Sequence, residues 1–140
     1  MKRIPTLPLL ILAALSAIPA AQAQSVVLKA DVPFGFSVGD TAMPAGEYSI
    51  SAPYSGVLRI ANDTKNIAAT VASLHGYVDP GKGSKLVFQK YGNRYFLHRV
   101  LCPTTTSMNV DIPTWNAEKI ARRTREAKLD QGETILIAAR

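Results

Sequence analysis

The chain has 140 residues, 47% of them hydrophobic, a formal charge of +6 and one cysteine. That length supports one small domain with a modest core, and a lone cysteine rules out an internal disulfide, so packing has to hold the fold. Two histidines and one cysteine also leave little for a nitrogen- and sulfur-ligated metal centre, which needs several donors converging on one point.

The start reads as a targeting segment. Lys2 and Arg3 form a basic region, an apolar run follows at about residues 7–18, and Ala21-Gln22-Ala23 fits a small-x-small cleavage pattern. A secretory signal peptide is therefore expected over residues 1–23, cut before Gln24. The apolar run is shorter than the ~20 residues of a membrane-spanning helix and contains Pro8. Residues 24–140 are then read as a single β-rich domain. Losing Lys2 and Arg3 lowers its formal charge from +6 to +4. The charge is uneven: residues 24–79 carry three basic and five acidic groups, residues 80–140 eleven and five. Such asymmetry suits an anionic partner.

Residues 25–31 (SVVLKAD) have strand composition, and Pro33, which cannot donate to a ladder, marks a sheet switch, bulge or edge. Phe34, Phe36 and Val38 alternate with small residues, and Tyr48, Ile50 and Ala52 repeat the pattern, predicting two strands that each bury one face. The segment between them holds Gly39-Asp40 and Pro44-Ala45-Gly46, so these strands are expected to pair across a wide loop. Residues 57–61 predict a strand with Leu58 and Ile60 on one face. Residues 62–66 have turn composition, and Asn62-Asp63-Thr64 also has the pattern of a glycosylation acceptor. Residues 67–74 predict a strand. In the glycine-rich loop at residues 76–84, Gly81-Lys82-Gly83 lacks the spacing and the strand–loop–helix setting of a phosphate loop.

The clearest hairpin joins residues 85–91 to 94–101 through Gly92-Asn93, a pair suited to a primed turn. A regular register facing Tyr91 with Arg94 sets Phe88 against Leu97 and Leu86 against Arg99. Both hairpin faces carry apolar residues, so both should be covered. Pro113-Thr114 opens a helix over residues 115–129, with Thr114 as expected N-cap and Ala117, Ile120, Ala121, Thr124 and Ala127 as its small-residue inner face. Gly132 stops it, and residues 133–140 (ETILIAAR) predict a last strand in the main sheet. The expected fold is mainly β: a single antiparallel β-sandwich or barrel of about seven strands, with one C-terminal helix before a last strand.

The signature V-P-F-x-F-x-V-G-x-x-x-x-P-A-G-x-Y, running from Val32 to Tyr48, resembles a group of small, uncharacterised exported bacterial proteins. Gly56-Val57-Leu58, Lys85-Leu86-Val87-Phe88, Tyr91-Gly92, Arg94-Tyr95-Phe96-Leu97, Val100 and the ending Ile137-Ala138-Ala139-Arg140 add to the likeness. The resemblance implies export and a β-rich domain, and no activity. Many members carry an aspartate where this chain has Gly35, so no catalytic carboxylate transfers to that position.

No constellation stands out as catalytic, cofactor-binding or metal-binding. In a regular strand His98 and Cys102 would share a face but lie about 13 Å apart, too far to share an ion or a proton. Tyr91, Tyr95 and Phe96 beside Lys90 and Arg94 have the ingredients of a stacking surface, but export argues against nucleic acid. The reading that remains is a non-enzymatic exported domain that binds or supports something in the cell envelope. Its candidate surface for an anionic polymer or lipid head groups is Lys82, Lys85, Lys90, Arg94, Arg99, Lys119, Arg122, Arg123 and Arg125. A small apolar-ligand carrier with a barrel pocket is the alternative, and a hydrolase a more distant one.

Overall fold

A computed structural model of the chain describes residues 27–76, 83–105, 108–126 and 132–140. The expected signal peptide, its cleavage point, Lys82 and the end of the predicted helix lie outside them. The described strands are β1 (Val27–Val32), β2 (Phe36–Val38), β3 (Thr41–Met43), β4 (Gly46–Tyr54), β5 (Val57–Asn62), β6 (Ile67–Ala72), β7 (Leu74–His75), β8 (Ser84–Tyr91), β9 (Arg94–Leu101), β10 (Val110–Asp111) and β11 (Glu133–Ala139). One helix, α1 (Asn116–Glu126), precedes the last strand. The fold is mainly β, as expected. The strands outnumber the expected seven because β3 and β10, three and two residues long, are too short to leave a periodic trace, and the strand expected over residues 67–74 divides into β6 and β7.

Two sheets face each other. One has the order β1-β4-β5-β6; the other runs β11-β8-β9-β10-β7, with β2 and β3 attached beside β9. Every pairing is antiparallel except a single parallel one between Ser37 and Phe96. The chain changes sheets at Pro33, between β1 and β2. On one side the sheets meet where Lys29 and Arg140 exchange backbone hydrogen bonds of 2.7 and 2.8 Å. On the other, β6 runs through Ser73 into β7 of the second sheet. The result is a curled sandwich approaching a barrel.

The core follows the period-two alternation. Leu28, Ala30 and Val32 point inward from β1, Tyr48 and Ile50 from β4, Leu58 and Ile60 from β5, and Ala69 and Val71 from β6. Leu86 and Phe88 meet them from the second sheet. The aromatic residues of the signature form the centre. Phe36 packs edge-on to Tyr48 at 5.1 Å and to Phe88 at 5.2 Å, while Phe34 stacks on Tyr95 at 4.0 Å. The Tyr48 hydroxyl donates to the carbonyl of Pro44. Burial of this order stabilises by about 1.5–3 kcal/mol for each large side chain.

Two expectations about pairing need correction. The strand holding Phe36 does not pair with the strand holding Tyr48: they lie in different sheets. Gly39, at φ 60°, closes a two-residue turn that folds β2 directly onto β3, with Val38 opposite Thr41. Glycine at the first central position of such a turn matches the twist of the strands. The β8–β9 hairpin does form around Gly92-Asn93, with Tyr91 opposite Arg94 and Phe88 opposite Leu97. Beyond that the register shifts. Val87 faces Arg99 and Leu86 faces Val100, so His98 is an extra residue, a β-bulge. The bulge lets both Leu97 and Val100 face the core. Its carbonyl accepts a hydrogen bond from Ile112 N–H at 2.8 Å.

Candidate anion-binding face

The second sheet has an outer face, opposite the core, and α1 packs there. Phe96 and Leu101 are buried outside the main cluster, and the Tyr91 and Phe96 rings lie 6.0 Å apart. Both faces of the hairpin are thus covered, as its two apolar stripes require.

Two contacts with the β2–β3 turn anchor the start of the helix. The Trp115 ring lies against Gly39, where an added Cβ would stand 3.2 Å from the indole. Asp40 Oδ1 accepts a 3.4 Å hydrogen bond from Ala117 N–H, supplying from 77 residues away the anion that a helix N-terminus favours. The first intrahelical bond runs from Lys119 N–H to the Trp115 carbonyl. The expected cap, Thr114, therefore lies one residue too early.

The inner face of α1 is also turned from the expected one. Glu118 and Ala121 are buried, whereas Ile120 is 61% exposed. At 100° per residue, Glu118, Ala121 and Arg125 point at the sheet, Ile120 and Thr124 lie on one flank, and Lys119, Arg122 and Arg123 on the other. Burying Glu118 over a more apolar alternative makes sense in its surroundings. Its carboxylate stands 4.0 Å from His98 Nδ1, and Tyr91 hydrogen-bonds it. Burial pushes the Glu118 pKa above the usual carboxylate range, against the opposing pull of His98, Arg122 and the Tyr91 hydrogen bond. Burial likewise raises the Tyr91 hydroxyl, with the Glu118 charge adding to it.

A cleft of about 230 Å³ opens between the hairpin tip and the Ile120 flank of α1, lined by Asn93, Arg94, Ile120, Thr124 and Arg125 among others. The Arg94 guanidinium lies 5.2 Å from the Phe96 ring centroid. That cation–π contact aims the group without neutralising it.

Lys82 aside, the structure divides the cations of the expected surface. Lys85, Arg94 and Arg99 project from the outer face of the sheet, the face that carries α1 and its Lys119, Arg122, Arg123 and Arg125. Lys90 has the opposite parity. It pairs with Glu133 at 3.1 Å and sits 5.7 Å from the Tyr95 ring. Arg99 is bound to Asp111, its cross-strand neighbour, and Arg122 lies 3.5 Å from Glu126 one turn on. Arg94, Lys119 and Arg123 are exposed to solvent. Glu118 is the group that sequence reasoning missed: a helical glutamate ordinarily faces water, and only the packing of α1 over His98 and Tyr91 gives this one a reason to turn inward.

Cys102 lies in the core, whereas His98 faces the helix, so the bulge and the end of β9 place them on opposite sides. The two Asn109 amide hydrogens bond the carbonyls of Cys102 and Thr105, and Asn109 Oδ1 accepts from Cys102 N–H. Burial pushes the thiol pKa up, but hydrogen bonds from Thr104, Ser84 and the Thr104 and Thr105 backbone outweigh it and leave the pKa lowered. His75 is exposed on β7. Among the described residues no three of His, Cys, Asp and Glu gather as metal ligands would.

Asn62 is not available to a glycan. It is 2% exposed, and Oδ1 accepts from Lys65 N–H at 2.9 Å, closing the turn to β6. Compared with family models, with curated proteins and with solved structures, the chain matches none.

Proposed function

We propose that the chain is an exported, non-enzymatic β-domain whose helix-bearing face binds phosphate or carboxylate groups of the cell envelope. The observation that carries this reading is the segregation of charge on α1. Lys119, Arg122 and Arg123 face solvent, Arg125 and Arg94 flank the neighbouring cleft, and of the two helical carboxylates Glu118 is buried and only Glu126 is exposed. The leader-like start and the resemblance of the signature to exported proteins support a location for this face outside the cytoplasm. An arrangement of this kind attracts anions over a Debye length of about 8 Å at physiological salt.

The carrier reading has no comparable support. The space between the sheets is filled by Phe36, Tyr48, Phe88 and Leu58. The hydrolase reading would need His75, His98 or Cys102 to converge with a carboxylate. Among the described residues the one such approach is His98 to Glu118, and that carboxylate is buried beneath the helix.

The test is co-sedimentation of the purified protein with vesicles containing anionic phospholipid, with zwitterionic vesicles, and with a phosphodiester polymer attached to a solid support. Binding to one or both anionic supports, weakened by salt, is the expected result, and the two arms separate lipid from polymer. Binding to neither support, or equal binding to zwitterionic vesicles, would overturn the proposal.

A further inference from the structure

The last strand offers a second surface, unrelated to the basic face. β11 pairs with β8 along its whole length, from Glu133 opposite Lys90 to Ala139 opposite Ser84. It is the end strand of its sheet. Arg140 exchanges both backbone hydrogen bonds with Lys29, so the backbone at position 140 points away from β8. Strand alternation then directs the N–H and C=O groups of Thr134, Leu136 and Ala138 the same way. Past the Lys29–Arg140 pair β1 and β11 part, leaving an open gap of about 720 Å³ lined by Ala30, Asp31, Glu47 and Ala138. From Ala138 back to Thr134 no described strand pairs with this edge.

Such an edge is normally blunted by lysine, proline or a bulge. β11 has none of these, and its Leu136 is 58% exposed. What fits a row of unpaired amides and carbonyls is another extended backbone. The local charge points to a second copy of this chain. Lys29, Lys90 and Arg140 are balanced around the edge by Asp31, Glu47 and Glu133, so two copies meet here without the repulsion that the net positive charge of the chain imposes elsewhere. The strand also starts on a carboxylate, Glu133, and ends beside a guanidinium, Arg140. Antiparallel pairing brings opposite charges together at both ends.

We infer that the chain forms a two-fold dimer by antiparallel pairing of its β11 edges, making one continuous sheet across both copies. The register that uses all three outward-pointing residues on both strands has its axis at Leu136. It sets Leu136 against Leu136 of the copy and Thr134 against Ala138 of the copy.

Analytical ultracentrifugation of the purified protein over a concentration series tests this, with Leu136→Lys, Ile120→Lys and Leu136→Cys alongside. Wild type and Ile120→Lys should dimerise, Leu136→Lys should raise the dissociation constant at least tenfold, and Leu136→Cys should form a disulfide-linked dimer under mild oxidation. A wild type that stays monomeric throughout, a dimer indifferent to Leu136→Lys, or no cross-link through Leu136→Cys would overturn the inference. The cross-link decides the matter even if the lysine variant misfolds.

Discussion

Gly39 does two jobs that no other residue type can combine. Its φ of 60° turns β2 into β3, and its missing side chain lets the Trp115 ring approach. Gly39→Val should therefore cost more than ~1 kcal/mol in urea unfolding, through strain at positive φ and displacement of the indole. Glu118 makes the opposite kind of prediction. Its folded-state pKa is raised above the unfolded value, so the folded state holds the proton more tightly. The stability this gives is full below the unfolded carboxyl pKa and is lost as pH rises through the folded one. Glu118→Gln should remove that dependence. Urea unfolding between mildly acidic and neutral pH should show a flatter stability profile for the variant than for wild type. An unchanged slope would mean that Glu118 is not the group responsible.

At the scale of elements, what was legible in the sequence was what local chemistry dictates. Gly92-Asn93 sets the β8–β9 turn, so the pairings nearest it, Tyr91 with Arg94 and Phe88 with Leu97, follow from the turn alone. The bulge at His98 was not legible, because its causes come from elsewhere: Ile112 N–H takes its carbonyl and Glu118 meets its ring. The pairing of β2 was misread for a related reason. Gly39-Asp40 closes a tight turn, but Phe36 and Tyr48, which do touch, touch across the core and not along a ladder. The helix was legible in position but not in rotation. An alanine-rich stripe suggested one inner face, whereas the buried pair Glu118 and Ala121 defines another. Two substitutions separate these faces. Ile120→Ala should change stability by no more than about 0.5 kcal/mol, as exposed substitutions do. Ala121→Leu, pressed against the sheet, should destabilise by roughly 1–3 kcal/mol through overpacking. Thermal unfolding monitored by circular dichroism ranks the two.

For the whole molecule, the division of labour runs along the chain. The first half builds one sheet and lends β2, β3 and β7 to the other; the second half builds the rest of that sheet, the helix and the cationic face. The uneven charge of the sequence was a fair guide to that division, yet it could not tell paired cations from unpaired ones. Arg99, Lys90 and Arg122 each have a carboxylate partner set by cross-strand register or helical spacing, and exposed pairs of this kind add little stability, about 0–1 kcal/mol. Among the described residues of the helix-bearing face, Arg94, Lys119 and Arg123 are the exposed cations without a carboxylate partner. The most direct test of the central claim compares their loss with the loss of a cation elsewhere. Affinity for anionic phospholipid vesicles and for the phosphodiester polymer should be measured against salt for wild type, for the Lys119→Glu/Arg123→Glu double variant and for Lys90→Gln. The account predicts that the double variant loses at least tenfold in affinity and most of its salt dependence, while Lys90→Gln binds like wild type. Equal binding by all three proteins would contradict it.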